Sequence, residues 1–254
     1  LSELLAKTEK YDVFLICEQI TNLDFDHYRK VKKIIQKKDA TEIATFDKNF
    51  NIDFYILNNE ASTYLETYNS LGKKIIGIFH GVFLSCIFTN NTSIYQQWYR
   101  LNFYDAFIQI IPDDYYIYKK FNFENEVFIP NLYTFEPSET PLSSLSKKNV
   151  LIVGRIDDAI KGAVYAFSET LKYLPDATLN IVSPVFPQNI INLVQELGIL
   201  SNVNFLPYSK NISEAYLNTS VLIVSSLSES FPMVMNEAKA HGVPIVAFNV
   251  DYSP

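Results

Sequence analysis

Cysteine is scarce in this chain of 254 residues, which has only Cys17 and Cys86. Two thiols without metal-ligand spacing build neither a zinc site nor a disulfide framework, and the simplest expectation is a pair of reduced cytoplasmic thiols. Long apolar runs are missing too. None reaches the roughly 18 residues that a membrane-spanning helix needs, and the longest candidate, residues 75–88, is interrupted by His80, Gly81 and Ser85. Positive charge is in deficit, with a formal net charge of −7. That argues against a protein whose main task is to hold nucleic acid, though a local pocket can still take a small anion. No Gly-x-Gly-x-x-Gly loop, Walker loop or Gly-x-Ser-x-Gly elbow occurs, so the signatures of NAD binding, P-loop chemistry and a serine nucleophile are all lacking.

What remains is globular in character, 48% hydrophobic and 19% charged. The length suits one large domain or two of about 100–150 residues, and either can bury a sizeable core. Tyr and Phe are abundant, at 17 and 19, which lowers the weight of any single one. The chain starts at Leu1 and stops at Pro254 in mid-pattern, and is expected to be a fragment of a longer one.

The second half alternates strand and helix. Residues 149–153 form a short β-branched run, as a buried parallel strand requires. Residues 161–174 place Val164, Phe167, Leu171 and Leu174 at helical spacing. Strands follow at 178–182, 203–206, 221–224 and 244–248. Helices lie between them at 189–197, 213–217 and 232–240, the first and last stopped by Gly198 and Gly242. The first half alternates less cleanly, with strands expected at 13–16, 54–57, 75–79, 107–111 and 127–129, and helices at 25–38, 61–71, 93–103 and 114–121. Residues 137–148 have the Ser- and Pro-rich composition of a linker. The expected organisation is a first domain over 1–136 and a second over 149–254, both α/β with doubly wound parallel sheets. Ligands of such sheets sit at the carboxyl ends of the strands, so the loops after strands are where chemistry is sought.

Residues 226–244 hold the richest such loop. A strand ends, Glu229 follows, and a helix opens near Pro232, a residue favoured at the first helical position. The free amides and positive dipole end of that helix suit an anion. Glu237 lies about 7–8 Å further along the axis, and carboxylates accept hydrogen bonds from sugar hydroxyls. An isolated pair of glutamates is more often a solvated helix face; the surrounding residues change that. The run Ser226-x-x-Glu229-Ser230-Phe231-Pro232-x-Val234-x-x-Glu237-Ala238-x-Ala240-x-Gly242-x-Pro244 resembles the signature of family 4 retaining glycosyltransferases.

The resemblance implies the two-domain GT-B architecture, with Rossmann-like domains facing across a cleft. It implies that Glu229 contacts the transferred sugar, that Glu237 contacts the ribose, and that the backbone of Ser230, Phe231, Pro232, Met233 and Val234 holds sugar and diphosphate. Val153-Gly154-Arg155 with Lys161-Gly162 resembles the family's Gly-Arg…Lys-Gly element, in which Arg and Lys clamp the diphosphate. Five residues separate the pair here, where about four are expected. Arg offers a bidentate fork and Lys a point charge, and both offset charge on the leaving nucleotide. In the first half, residues 74–79 followed by His80-Gly81 resemble the strand whose histidine reaches the donor sugar, with Gly81 allowing close backbone approach. Asn131 receives no role, because Leu132-Tyr133 replace the family's usual continuation. A Gly-rich loop after the first strand and the returning C-terminal helices are missing from the pattern, which is put down to truncation.

Other signals carry less. Asp24-Phe25-Asp26 resembles a metal-binding triplet but precedes a helix, where Asp caps. Asp113 is read as a cap and Asp157-Asp158 as loop, so no metal and no cofactor beyond a UDP- or GDP-sugar is expected. The basic stretch 29–38 sits on an expected amphipathic helix that would suit either solvent or a membrane surface. The implied function is transfer of a sugar to a hydroxyl acceptor, a growing glycan or lipid-linked saccharide at the inner face of a membrane. The alternatives are a nucleotide-sugar 2-epimerase and a non-catalytic nucleotide-sugar-binding scaffold.

Overall fold

The structure is a computed structural model. It describes residues 2–17, 31–36, 40–58, 65–80, 101–120, 124–132, 135–137, 139–156, 160–209, 211–226 and 229–249. The chain divides into two compact units, Leu1–Ile78 with Tyr95–Phe107 and Phe79–Ile94 with Ile108–Pro254.

The first elements are α1 (Ser2–Lys7), β1 (Phe14–Cys17), β2 (Lys33–Gln36), α2 (Ala40–Phe50), β3 (Phe54–Asn58), α3 (Leu65–Ser70) and β4 (Lys74–Phe79). Strands β1 and β2 pair in parallel, with Phe14 opposite Lys33. Further on come β5 (Ala106–Gln109), α4 (Pro112–Lys120) and β6 (Glu126–Phe128). The order β3-β4-β5-β6 makes a four-stranded sheet. Ile43 of α2, Tyr55 and Leu57 of β3, Leu65 and Tyr68 of α3, Ile75 of β4 and Tyr104 form one buried cluster. Asp105 locks the start of β4. Its amide donates to Ile75 O and its carboxylate accepts from Ile75 N, both at 2.8 Å.

The expected helix over 25–38 is not what residues 33–36 form. They are strand β2, because Ile34 and Ile35 are β-branched residues that suit a pleated ladder, and β1 offers one. The basic amphipathic helix that suggested a membrane face is therefore absent there. Residues 18–30, including the Asp24 triplet, lie outside the described residues, as do most of the expected helix 93–103, Asp157 and Asp158. Helix α2 was not expected, although Ile43, Phe46 and Phe50 repeat at helical spacing and the first two are buried. Asp113 is the second residue of α4 rather than its cap; an acid in the first turn still complements the helix dipole.

Gly77, in the middle of β4, lies where a Cβ would come within 2.7–2.8 Å of the Tyr104 and Phe107 rings. Those rings pack together at 5.3 Å and cannot both withdraw. Gly77→Ala is expected to lower stability by about 1–3 kcal/mol, measured by urea denaturation.

Besides α4 and β6, the second unit holds β7 (Asn149–Val153), α5 (Ile160–Thr170), β8 (Thr178–Ser183), α6 (Gln188–Glu196), β9 (Val203–Pro207), α7 (Ser213–Leu217), β10 (Val221–Val224), α8 (Met233–Ala240) and β11 (Ile245–Ala247). Every expected strand and helix of this half appears, within a few residues at the ends. The sheet runs β11-β10-β7-β8-β9, with all pairings parallel. Alternation along β7 sends Ile152 to one face and Leu151 to the other. Ile152 joins Val164 and Phe167 of α5 and Ile190 and Val194 of α6. Leu151 joins Tyr216 of α7 and Ala238 of α8. Helices cover both faces, as a doubly wound sheet requires.

Residues 141–146 carry no helix or strand, yet this stretch is tied down. Ser143 N donates to His241 O at 2.8 Å and Ser143 Oγ to Thr219 O at 2.7 Å. The Leu142 side chain lies 3.2 Å from where a Cβ on Gly242 would stand.

Candidate functional site

The strand order reverses between β7 and β10. The first three strands build outward through β8 to β9, and the chain then returns to place β10 and β11 on the other side of β7. At such a switch point the loops after the two central strands part to opposite faces and leave a crevice at their carboxyl ends. The loop after β7 carries Gly154 and Arg155, and the loop after β10 carries Ser225, Ser226 and Glu229. Two segments about 70 residues apart in sequence are thus brought to one place by topology.

Gly154 continues the ladder by one residue, its amide donating to Val182 O at 3.0 Å. Its φ is +147°, a region side chains rarely enter, and a Cβ there would meet nothing within 4 Å. Backbone conformation, not crowding, therefore asks for glycine. Arg155 follows, exposed, and makes no hydrogen bond or ion pair among the described residues. Lys161 is the second residue of α5, half-buried in the first turn. Gly162 lets that turn approach Phe248, which a Cβ would meet at 3.2 Å.

On the other strand, Glu229, Ser230 and Phe231 are half-buried and Pro232 is buried. Glu229 has no hydrogen-bonding partner among the described residues. Pro232 precedes α8 as its N-cap in an extended conformation, φ −69° and ψ 98°, and Met233 is the first helical residue. Proline was expected one position later, inside the helix. The shift leaves the amides of Met233 and Val234 at the helix opening, where no carbonyl within the helix can reach them. Met235 N donates to Pro232 O at 3.0 Å.

Glu237 lies half-buried on α8. Its Oε2 accepts from the Tyr216 hydroxyl at 2.8 Å. Burial, followed by the negative charge of Glu237, pushes the Tyr216 hydroxyl far above its ordinary pKa, so it stays a donor. One turn after Glu237, His241 is fully buried. Its Nδ1 meets Glu237 O at 2.7 Å and its Nε2 meets Ser213 Oγ at 2.7 Å. A carbonyl only accepts, so Nδ1 carries the hydrogen, and in the neutral ring Nε2 accepts from Ser213. Tyr216, His241 and Ser213 were not singled out in the sequence. For His241 the signal was its i, i+4 spacing from Glu237; for Tyr216, one of 17 tyrosines, there was none.

His80 follows the last residue of β4 and is half-buried. Burial lowers its pKa below the usual histidine value, which favours the neutral ring. Gly81 lies outside the described residues. Among the described residues no three His, Cys, Asp or Glu side chains gather as a metal site, and no helix is long and apolar enough to cross a membrane.

Residues 138–254 match the family model of glycosyl transferases group 1. An uncharacterized glycosyltransferase of Haemophilus influenzae is 36% identical over 135 residues, which are 52% of this chain and 38% of that protein. The chain therefore aligns with well under half of that relative's length. Among solved structures, a glycosyltransferase from Rickettsia africae superposes with a TM-score of 0.73 at 15% identity, over 99% of this chain and 74% of that one. The Anabaena protein Alr3699/HepE, in complex with UDP-glucose, superposes with a TM-score of 0.72 at 13% identity, over 97% and 76%. At these identities the likeness is one of fold, the GT-B class of α/β proteins.

Proposed function

We propose that this chain carries the donor site of a retaining family 4 glycosyltransferase, which moves a sugar from a UDP- or GDP-linked donor to a hydroxyl acceptor. The observation that carries the reading is the adjacency of β7 and β10 at the switch point, which sets the Arg155 loop and the loop leading to α8 at the same edge of the sheet. A nucleoside diphosphate needs cationic forks and free amides for its phosphates and a carboxylate for its ribose. Arg155 and Lys161 supply the cations. The amides opening α8, with the backbone of Ser230, Phe231, Pro232, Met233 and Val234, supply the donors. Glu237 supplies the ribose acceptor, and Glu229 serves the sugar in this reading.

His80, followed in sequence by Gly81, completes the sugar contacts in this reading. The leaving diphosphate is charge-balanced by protein groups, so no resident metal or cofactor is invoked. No protein nucleophile is assigned either: the acceptor hydroxyl attacks the anomeric carbon, the bond to the diphosphate breaks, and the departing phosphate takes up the acceptor's proton. The acceptor is a growing glycan or lipid-linked saccharide, and any peripheral membrane contact comes through that acceptor.

The test is titration of the full chain with UDP, GDP and ADP by calorimetry. Saturable binding of one of them is expected and identifies the base. A folded chain that binds none of the three would overturn the reading in favour of a non-catalytic scaffold.

A further inference from the structure

Behind Glu237 stands a tyrosine that the donor-site reading does not use. Tyr216 is fully buried, and a buried phenol must find a partner for its hydroxyl. Val234 O is 3.4 Å away and Glu237 Oε2 is 2.8 Å away. The hydroxyl has a single hydrogen, and the shorter, charge-assisted contact takes it.

The ring itself cannot turn away. It stacks on His241 at 5.1 Å with an interplanar angle of 20°. His241 in turn is held by Glu237 O, by Ser213 and by the edge-on ring of Phe135 at 4.7 Å. The clamp is thus built from α7, the end of α8 and the segment before β7. Glu237, by contrast, has three rotatable side-chain bonds and a half-buried site, so each contact to its carboxylate narrows the rotamers it samples. A carboxylate offers about four acceptor positions, of which the tyrosine uses one.

We propose that Tyr216 is a positioning residue for the donor ribose: by holding Oε2, it sets the Glu237 carboxylate in the orientation that accepts from the ribose hydroxyls of a nucleoside diphosphate. The inference rests on the donor-site reading and adds to it a reason why the site selects ribose. Because the tyrosine stays protonated, the clamp holds throughout the physiological pH range.

The experiment uses the full chain and whichever of UDP, GDP or ADP it binds, together with the 2′-deoxy and 3′-deoxy forms of that nucleotide. Tyr216→Phe keeps the stacked ring and removes the hydroxyl. It is expected to weaken the ribonucleotide about 5-fold and to leave the deoxy form that lacks the contacted hydroxyl nearly unchanged, so that ribose discrimination falls. Discrimination is a ratio within one protein, so a partly folded preparation does not disturb it. In a Glu237→Ala background the same change is expected to add nothing further. Asn202→Ala, which removes two hydrogen bonds to Pro175 O and Ala177 O before the start of β8 and touches no part of the clamp, is the structural control: it lowers Tm and keeps the discrimination.

Equal ribonucleotide affinity in Tyr216→Phe and the unaltered chain would overturn the inference while leaving the donor site standing. So would an equal loss on ribo and deoxy forms, or an equal fall in discrimination in Asn202→Ala. Absence of nucleotide binding by the unaltered chain would instead overturn the donor-site reading, and this inference with it.

Discussion

Arg155→Ala combined with Glu237→Ala is expected to weaken binding of the preferred nucleotide by about 100-fold or more, read by calorimetry beside the unaltered chain. Arg155 is exposed at the end of β7, on a glycine whose backbone only glycine adopts readily. Hydrogen bonds to charged groups contribute about 1.5–3 kcal/mol each, and a bidentate guanidinium–phosphate contact lies toward the upper end. The proposed Glu237 contact to ribose is of the same kind. The two act on different parts of the ligand, so their losses should nearly add, and about 3–5 kcal/mol corresponds to factors of roughly 100 to several thousand.

Stability separates the two changes. Arg155 has no partner among the described residues, so Arg155→Ala alone should leave Tm where it is. Glu237→Ala strands the buried Tyr216 hydroxyl, at a cost of about 1–3 kcal/mol. Unchanged affinity in a folded double variant would remove both residues from the site.

The second large effect is on stability. Glu126 opens β6 at 5% exposure, and among the described residues neither of its carboxylate oxygens has a hydrogen-bond partner; the same is true of the Gln109 amide, itself fully buried on the neighbouring strand. Burial pushes the Glu126 carboxyl from 4.5 up to about 8, with the charge of Asp114 adding to the rise and Lys119 opposing it. Below about pH 4.5 the group is protonated in both the folded and the unfolded chain, so its ionisation takes nothing from stability there. As pH rises toward 8 the unfolded chain ionises first, so stability is lost across that window at about 1.4 kcal/mol per pH unit.

Glu126→Gln removes the ionisation and keeps the shape. It is expected to stabilise the protein by about 3 kcal/mol at pH 7 and by very little at pH 4.5. Urea midpoints of the two proteins at pH 4.5, 7 and 8.5 give the difference directly. A constant gap across the three would show that the carboxyl does not titrate between them.

Legibility in the sequence followed how each segment is stabilised. In the second half the strands are β-branched runs and the helices carry clean apolar periods, so local pattern and tertiary fate agree. At residues 33–36 they disagreed. Surrounding lysines suggested a solvated helix, but Ile34 and Ile35 pair with β1, an option that only a distant strand supplies. Pro232 was misplaced by one position, within the usual uncertainty of helix ends. Helix α2 was readable from Ile43, Phe46 and Phe50 and was passed over among neighbouring polar residues.

By themselves, the residues determined the local parts: a strand ending at Gly154-Arg155, a second ending before Glu229, a helix opening near Pro232, and a glutamate further along its face. Those depend on φ preferences and short-range periodicity, which neighbouring side chains set. The tertiary structure alone decided that β10 pairs with β7 and so brings the two loops together, and that Tyr216 and His241 stand behind Glu237. Strand order and buried hydrogen bonds join residues far apart in the chain. Long-range packing chooses them, and no local pattern encodes that choice.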